Sequence, residues 1–285
     1  MLEAFNHITA NQLNAMTDDQ RKALLAAGLA QAFQKSAVEH VTWLFWAKKE
    51  AAPLRILGQG SAFLLDLGHE IILVTAAHVY RQYLCDLHQH DELYCQIANS
   101  QIYNLCEHLI ACGNIRVPQG EADVESDIAT FRLPKGAAAR IGKKPITYSS
   151  PERGSGLQVS QQVMLVGYPA QERIVTNPGT VEFGSYSGMS GVNSMTEHQI
   201  TVRFERAYMV AHGGCDLPPL GYGLGGISGG PMLIPEYADA KWSWRLAGVI
   251  VQAPEARSPE EVIFESVIAH RAEYIQSDGR LSKRL

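Results

Sequence analysis

Gly226-Ile227-Ser228-Gly229-Gly230-Pro231 restricts the fold of this chain more than any other stretch. Its glycines let the backbone turn tightly and let another group approach closely. Pro231 stops a helix from running through the segment. Two folds that use similar strings are thereby excluded. Gly221-Tyr222-Gly223-Leu224-Gly225-Gly226 matches the G-x-G-x-x-G of dinucleotide sites, but such a site opens a helix, and Gly229, Gly230 and Pro231 disfavour one. Gly226-Ile227-Ser228-Gly229-Gly230 also matches G-x-S-x-G, whose fold takes its acid and then its histidine from beyond the serine. Only His270 follows Ser228, and the remaining chain is too short for the strands and helices required.

Elsewhere the apolar pattern is mostly that of strands. Segments 41–46, 58–65 and 70–75 form a first group, the last rich in β-branched residues, with Gly68 marking the turn between the last two. Segments 127–133, 159–166, 199–210, 231–234 and 245–252 continue the series. Ahead of them, Thr17-Asp18-Asp19-Gln20 reads as a capping box, and Leu25, Leu29 and Phe33 recur on one helical stripe, so a helix packed on the strands is expected. A second helix is expected near 79–87 and a closing amphipathic helix at 264–275. Residues 80–113 are mixed in periodicity and rich in His, Cys and Tyr, and they read as an insertion.

Acyl transfer needs a nucleophile, a base, a group that orients the base, and donors for the oxyanion. Ser228 supplies a hydroxyl, and an imidazole, ordinarily titrating at about 6.5, suits its deprotonation at neutral pH. His78, in Thr75-Ala76-Ala77-His78, is the expected base. For the orienting acid, Asp127 competes with Glu121, Asp123 and Glu125. With Asp127-Ile128-Ala129-Thr130-Phe131 and the Ser228 string, the order His, Asp, Ser resembles the chymotrypsin/trypsin-like serine proteases of the PA clan. The chain is most similar to an intracellular, bacterial-type member without disulfides.

The resemblance implies an all-β fold of two six-stranded antiparallel Greek-key barrels, with an N-terminal and a C-terminal helix. Residues 1–36 would be the helical extension, 37–155 the first barrel with its insertion near 80–113, and 156–285 the second barrel. It selects Asp127 as the acid, assigns the oxyanion hole to the N–H groups of Gly226 and Ser228, and sets Tyr222 at the base of the primary specificity pocket. Val251, Gln252 and Ala253 become the edge that pairs with the substrate backbone. Tyr222, in place of an acid, implies small or medium apolar side chains before the scissile bond, with Asp216 the nearby acid in the loop. Members activated by cleavage carry an Asp just before the serine; Ile227 cannot make that ion pair. Control by a cut N-terminus is therefore not expected, and ordering of the glycine-rich loop 212–226 is the alternative.

Composition narrows the setting. With 285 residues, 46% hydrophobic and 19% charged, the chain can fill two barrels plus extensions. A net charge of −5 and the lack of a basic run argue against nucleic acid. No apolar run approaches the roughly 20 residues of a membrane span, and no secretory pattern opens the chain. Five cysteines (Cys85, Cys95, Cys106, Cys112, Cys215) are an odd number, which favours reduced thiols and a cytoplasmic location. The Cys/His-rich stretch lacks the paired Cys-x-x-Cys units of zinc sites, so neither a metal nor another cofactor is expected. The expected activity is that of a serine endopeptidase acting through an acyl-enzyme on Ser228, with a protein or peptide substrate and a possible regulatory protein partner. The alternative is a catalytically silent module of the same fold that binds peptides or a partner protein.

Overall fold

A computed structural model describes residues 2–48, 55–90, 93–102, 104–113, 126–149, 156–177, 180–204, 217–219, 221–254 and 266–282. The N-terminal segment is helical: α1 (Ala10–Ala15), α2 (Asp18–Leu24), a wide turn Leu25–Leu29, and α3 (Ala30–Val38). The expected capping box is present, since Gln20 N donates to Thr17 Oγ1 at 3.3 Å and Thr17 N to Gln20 Oε1 at 2.9 Å. The helix is not continuous, because Gly28 adopts φ +106° and bends the chain. Leu29 and Phe33 of the expected stripe are buried, whereas the Leu25 side chain lies outside the described residues.

The first half is a sheet built from β1 (Val41–Lys48), β2 (Ile56–Asp66), β3 (Ile71–Ala76), helix α4 (Ala77–Gln89), β4 (Leu93–Ile97), β5 (Ser100–Ile102), β6 (Leu109–Cys112), β7 (Ile128–Arg132), helix α5 (Ala137–Ile141) and β8 (Ile146–Thr147). Its strand order is β5-β4-β1-β2-β3-β7-β6, with β8 added in parallel to β2. Among the described residues this eight-stranded sheet does not close on itself, so the expected closed six-stranded barrel is not shown for this half. The insertion contributes β4 and β5 on the β1 edge and β6 on β7.

The second half contains β9 (Gln162–Gly167), the hairpin β10 (Arg173–Asn177) and β11 (Thr180–Phe183), then β12 (Tyr186–Met195), β13 (Gln199–Arg203), β14 (Pro231–Ala238), β15 (Lys241–Gln252) and β16 (Ser266–Arg271). Six of these close into a barrel in the order β12-β13-β16-β15-β14-β9. The closing helix expected at 264–275 is therefore corrected to strand β16, followed by a short 3-10 turn at Ala272–Tyr274; residues 264 and 265 lie outside the described ones. The physical reason is pairing on both sides. β16 hydrogen-bonds to β13 and β15, and a helix there would leave two strand edges unpaired inside the barrel wall. Among the described residues, no helix is long and apolar enough to cross a membrane.

The N-terminal helices pack on the second half. Phe33, 4% exposed, meets the rings of Trp242 and Trp244 edge-on at 5.1 and 5.5 Å. Trp244 Nε1 donates to Ser36 Oγ at 3.1 Å, and Trp242 Nε1 to Ile8 O at 3.1 Å. Phe33→Ala is expected to lower the unfolding free energy by about 3–5 kcal/mol, read from urea denaturation of the full chain. A loss below about 1 kcal/mol would show that this contact does not anchor the helices.

Candidate active site

Register brings the first two candidate residues together. Strand β3 pairs antiparallel with β7, and the last pair is Ala76 with Ile128. One residue further, Asp127 comes opposite Ala77, whose N–H donates to Asp127 O at 3.1 Å. The chain then turns from β3 directly into α4, which puts His78 in the first helical turn. Asp127 Oδ1 accepts from His78 N at 2.8 Å, and Oδ2 lies 2.6 Å from His78 Nδ1. The carboxylate is thus held at two points. Its side chain is 14% exposed and the imidazole 40%, so the acid is covered while the ring reaches solvent. Helix α4 is fixed in turn by burial of Val79, Tyr80 and Tyr83, and by Trp46 Nε1 donating to Asp86 Oδ2 at 2.7 Å. The rival acids Glu121, Asp123 and Glu125 lie outside the described residues.

Ser228 sits in the turn that feeds β14. Gly229 N donates to Ile250 O at 2.7 Å, and Ile250 N to Gly230 O at 2.8 Å, which pins the turn to β15. Gly229 has φ +88°, and a Cβ there would stand 2.1 Å from Ser61 O and 3.0 Å from Ala76 N. A Cβ at Gly60 would meet Val79 Cγ1 at 2.7 Å and Ser228 O at 3.3 Å. The turn therefore lies against Ala76 and Val79, the residues that flank His78. Among the described residues, neither the Ser228 hydroxyl nor His78 Nε2 makes a hydrogen bond.

The peptide units around Ser228 are oriented by their carbonyls. Gly225 O accepts from Ala170 N at 2.6 Å, which turns the trans Gly226 N–H to the opposite side. Gly226 O accepts from Ser61 Oγ at 3.0 Å, and Ser228 O from Ser61 N at 2.8 Å. Gly226 has φ +101°, a conformation that L side chains rarely adopt. The N–H groups of Gly226 and Ser228 donate to no described residue. Ile227 between them is fully buried in the barrel core, and no ion pair is available to it.

Tyr222 OH donates to Glu172 Oε1 at 2.8 Å, and its ring lies 6.2 Å from that of Tyr186. Burial, reinforced by the neighbouring carboxylate, pushes the Tyr222 phenol well up, so it remains a neutral donor. Val251 is the bulge at the end of β15, Gln252 pairs with Ile268 and is exposed, and the carbonyl after Ala253, that of Pro254, accepts from Leu224 N at 2.7 Å. The loop expected to order the site is described at 217–219 and from 221 onward; Asp216 and Cys215 lie outside the described residues.

Three participants carry no sequence signal. Ser61, fully buried, donates to Gly226 O and accepts from Tyr168 N at 2.9 Å, joining the two halves beside the Ser228 turn. Glu172 holds Tyr222, and His270 holds the Asp127 main chain. Only a register or a loop fold identifies such partners.

Among the described residues, no His, Cys, Asp or Glu cluster is arranged to hold a metal ion. The described cysteines are free, and burial pushes the Cys95 thiol well up. A cleft of about 540 Å³ near Glu107, Arg132, Asp278 and Arg280 shares no residue with this site. No family model matches the sequence, and no curated protein matches it.

Proposed function

We propose that this chain is a chymotrypsin-like serine endopeptidase that works through an acyl-enzyme on Ser228. The eight-stranded sheet is read as its first barrel, widened by the insertion, and the closed barrel as its second. One observation carries the reading: the two-point Asp127–His78 pair stands beside a serine turn that leaves the N–H groups of Ser228 and of Gly226, at φ +101°, unengaged by any described residue. In this reading Ser228 Oγ bonds to the scissile carbonyl carbon while His78 Nε2 takes its proton. The carbonyl oxygen gains negative charge, which the Gly226 and Ser228 N–H groups meet. His78 returns the proton to the leaving amine as the C–N bond breaks, and water then releases the acyl group. Asp127 fixes the Nδ1–H tautomer and stabilises the imidazolium.

In this reading Tyr222, whose ring lies 6.2 Å from that of Tyr186, forms the base of the primary pocket, which suits small or medium apolar side chains. Because Ile227 is buried in the core, competence does not depend on a new N-terminal amine. The odd cysteine count supports a reducing, cytoplasmic setting.

A fluorophosphonate probe tests the assignment. The expected result is labelling of the full chain and none of Ser228→Ala. Failure to label the wild type at any neutral or mildly alkaline pH would turn the reading to a silent binding module. A peptide library in which Lys or Arg dominates before the cut would refute the apolar pocket.

A further inference from the structure

We infer that His270 is a positioning residue for the Asp127–His78 pair, acting from the opposite half of the molecule; the inference rests on the hydrolase reading. His270 lies in β16, in the barrel wall, and is 7% exposed. Its Nδ1 accepts from Asp127 N at 2.6 Å, a contact between residues 143 apart in the chain. A main-chain N–H only donates, so Nδ1 presents its lone pair and the proton of the neutral ring is on Nε2. There the Gln199 carboxamide, from β13, stands with its Nε2 at 3.3 Å, and it takes the ring proton when the amide is turned to present Oε1. The Asp127 N–H thus sets the tautomer of the ring.

The remaining polar atoms of Asp127 all face the start of α4. Its carbonyl accepts from Ala77 N, Oδ1 from His78 N, and Oδ2 meets His78 Nδ1. These bonds move with α4, so they cannot set the acid against the nucleophile. His270 belongs to the same barrel as the Ser228 turn, and its bond to Asp127 N references the acid to that barrel. Catalytic groups need placement to within about 0.5 Å, which requires such a support outside the reacting set. Ser61 performs the reciprocal task, since its N–H and Oγ from β2 hold the carbonyls of Ser228 and Gly226.

Side-chain geometry supplies the test. In His270→Asn, Oδ1 replaces Nδ1 and can still accept from Asp127 N. In His270→Gln, the acceptor falls near Nε2, so the Gln199 side keeps a partner and Asp127 loses one. With the full chain, His270→Gln is expected to lower kcat about 10²-fold with KM within about twofold, and His270→Asn to recover at least about tenfold of that loss. The His78 Nδ1 proton, followed by NMR at low field, should shift upfield or broaden in His270→Gln and stay in place in His270→Asn. Equal kcat in wild type and His270→Gln, with an unmoved resonance, overturns the proposal. Equal losses in both variants that track a fall in Tm also overturn it, since they make His270 merely structural. If the wild type hydrolyses nothing, the resonance still decides: movement in His270→Gln alone supports the positioning role while the hydrolase reading falls, and no movement refutes both.

Discussion

Exchange of Ser228 for alanine is expected to lower turnover of a peptide or activated ester by about 10⁶-fold, and His78→Ala by about as much. The double variant should lose no more than either single one. The reason is that the hydroxyl is a poor nucleophile until its proton has somewhere to go, so each group is useless without the other. In free energy the single loss is about 8 kcal/mol of transition-state stabilisation. A residual acceleration of about 10³–10⁴ over water should survive, because the Gly226 and Ser228 N–H groups remain in place. Active-site-normalised kcat, measured with mutant protein of unchanged far-UV circular dichroism, is the readout. Multiplicative losses in the double variant would mean that Ser228 and His78 act independently, and the proposed mechanism would then fail.

Asp127→Asn should cost about 10⁴-fold in kcat, with the fold intact. The geometry explains why an isosteric change is so damaging. Asp127 receives two N–H groups from His78, the main-chain one at 2.8 Å and the ring one at 2.6 Å. A carboxamide has one acceptor and one donor for those two places. If its oxygen keeps the main-chain contact, its NH₂ faces Nδ1 and drives the proton to Nε2, which then cannot accept from Ser228. If its oxygen keeps the ring, its NH₂ opposes the His78 N–H in the first turn of α4. Steady-state kinetics on p-nitrophenyl esters and a crystal structure of the variant would separate the two. A loss of less than about tenfold would remove Asp127 from the mechanism.

Much of this architecture is legible in the amino-acid pattern, for identifiable reasons. Strands β1, β2 and β3 are legible as short apolar runs, buried almost continuously on both faces, and helix α4 as a segment that buries Ala77, Val79, Tyr80 and Tyr83. Asp127, His78 and Ser228 stand out because short motifs surround them. Strand β12 is not legible, since Gly188, Ser190 and Gly191 break any alternation and its order comes from pairing with β9 and β13. Strand β16 reads as a helix because its apolar residues fit both periods, and only its two neighbours decide. The width of the first sheet is hidden in the insertion, whose strands β4 and β5 pair at an edge. Ser61 and His270 are invisible for a different reason. Each is an ordinary residue in an ordinary strand, and its partner is set by tertiary register alone.

The docking of the N-terminal helices on β15 has a consequence for biosynthesis. Ser36 and Trp244, which share a hydrogen bond, are 208 residues apart in the chain. At about 5–20 residues per second, the ribosome delivers the second partner roughly 10–40 s after the first. During that interval the apolar stripe carrying Leu29 and Phe33 lacks the two indole rings that cover it in the folded chain. The nascent chain can therefore cover its first helices only with residues made earlier, among them Leu2, Val41 and Phe63 of the same cluster. The same delay holds back the Asp127–His270 contact until β16 has emerged, after both the His78–Asp127 pair and the Ser228 turn have been synthesised.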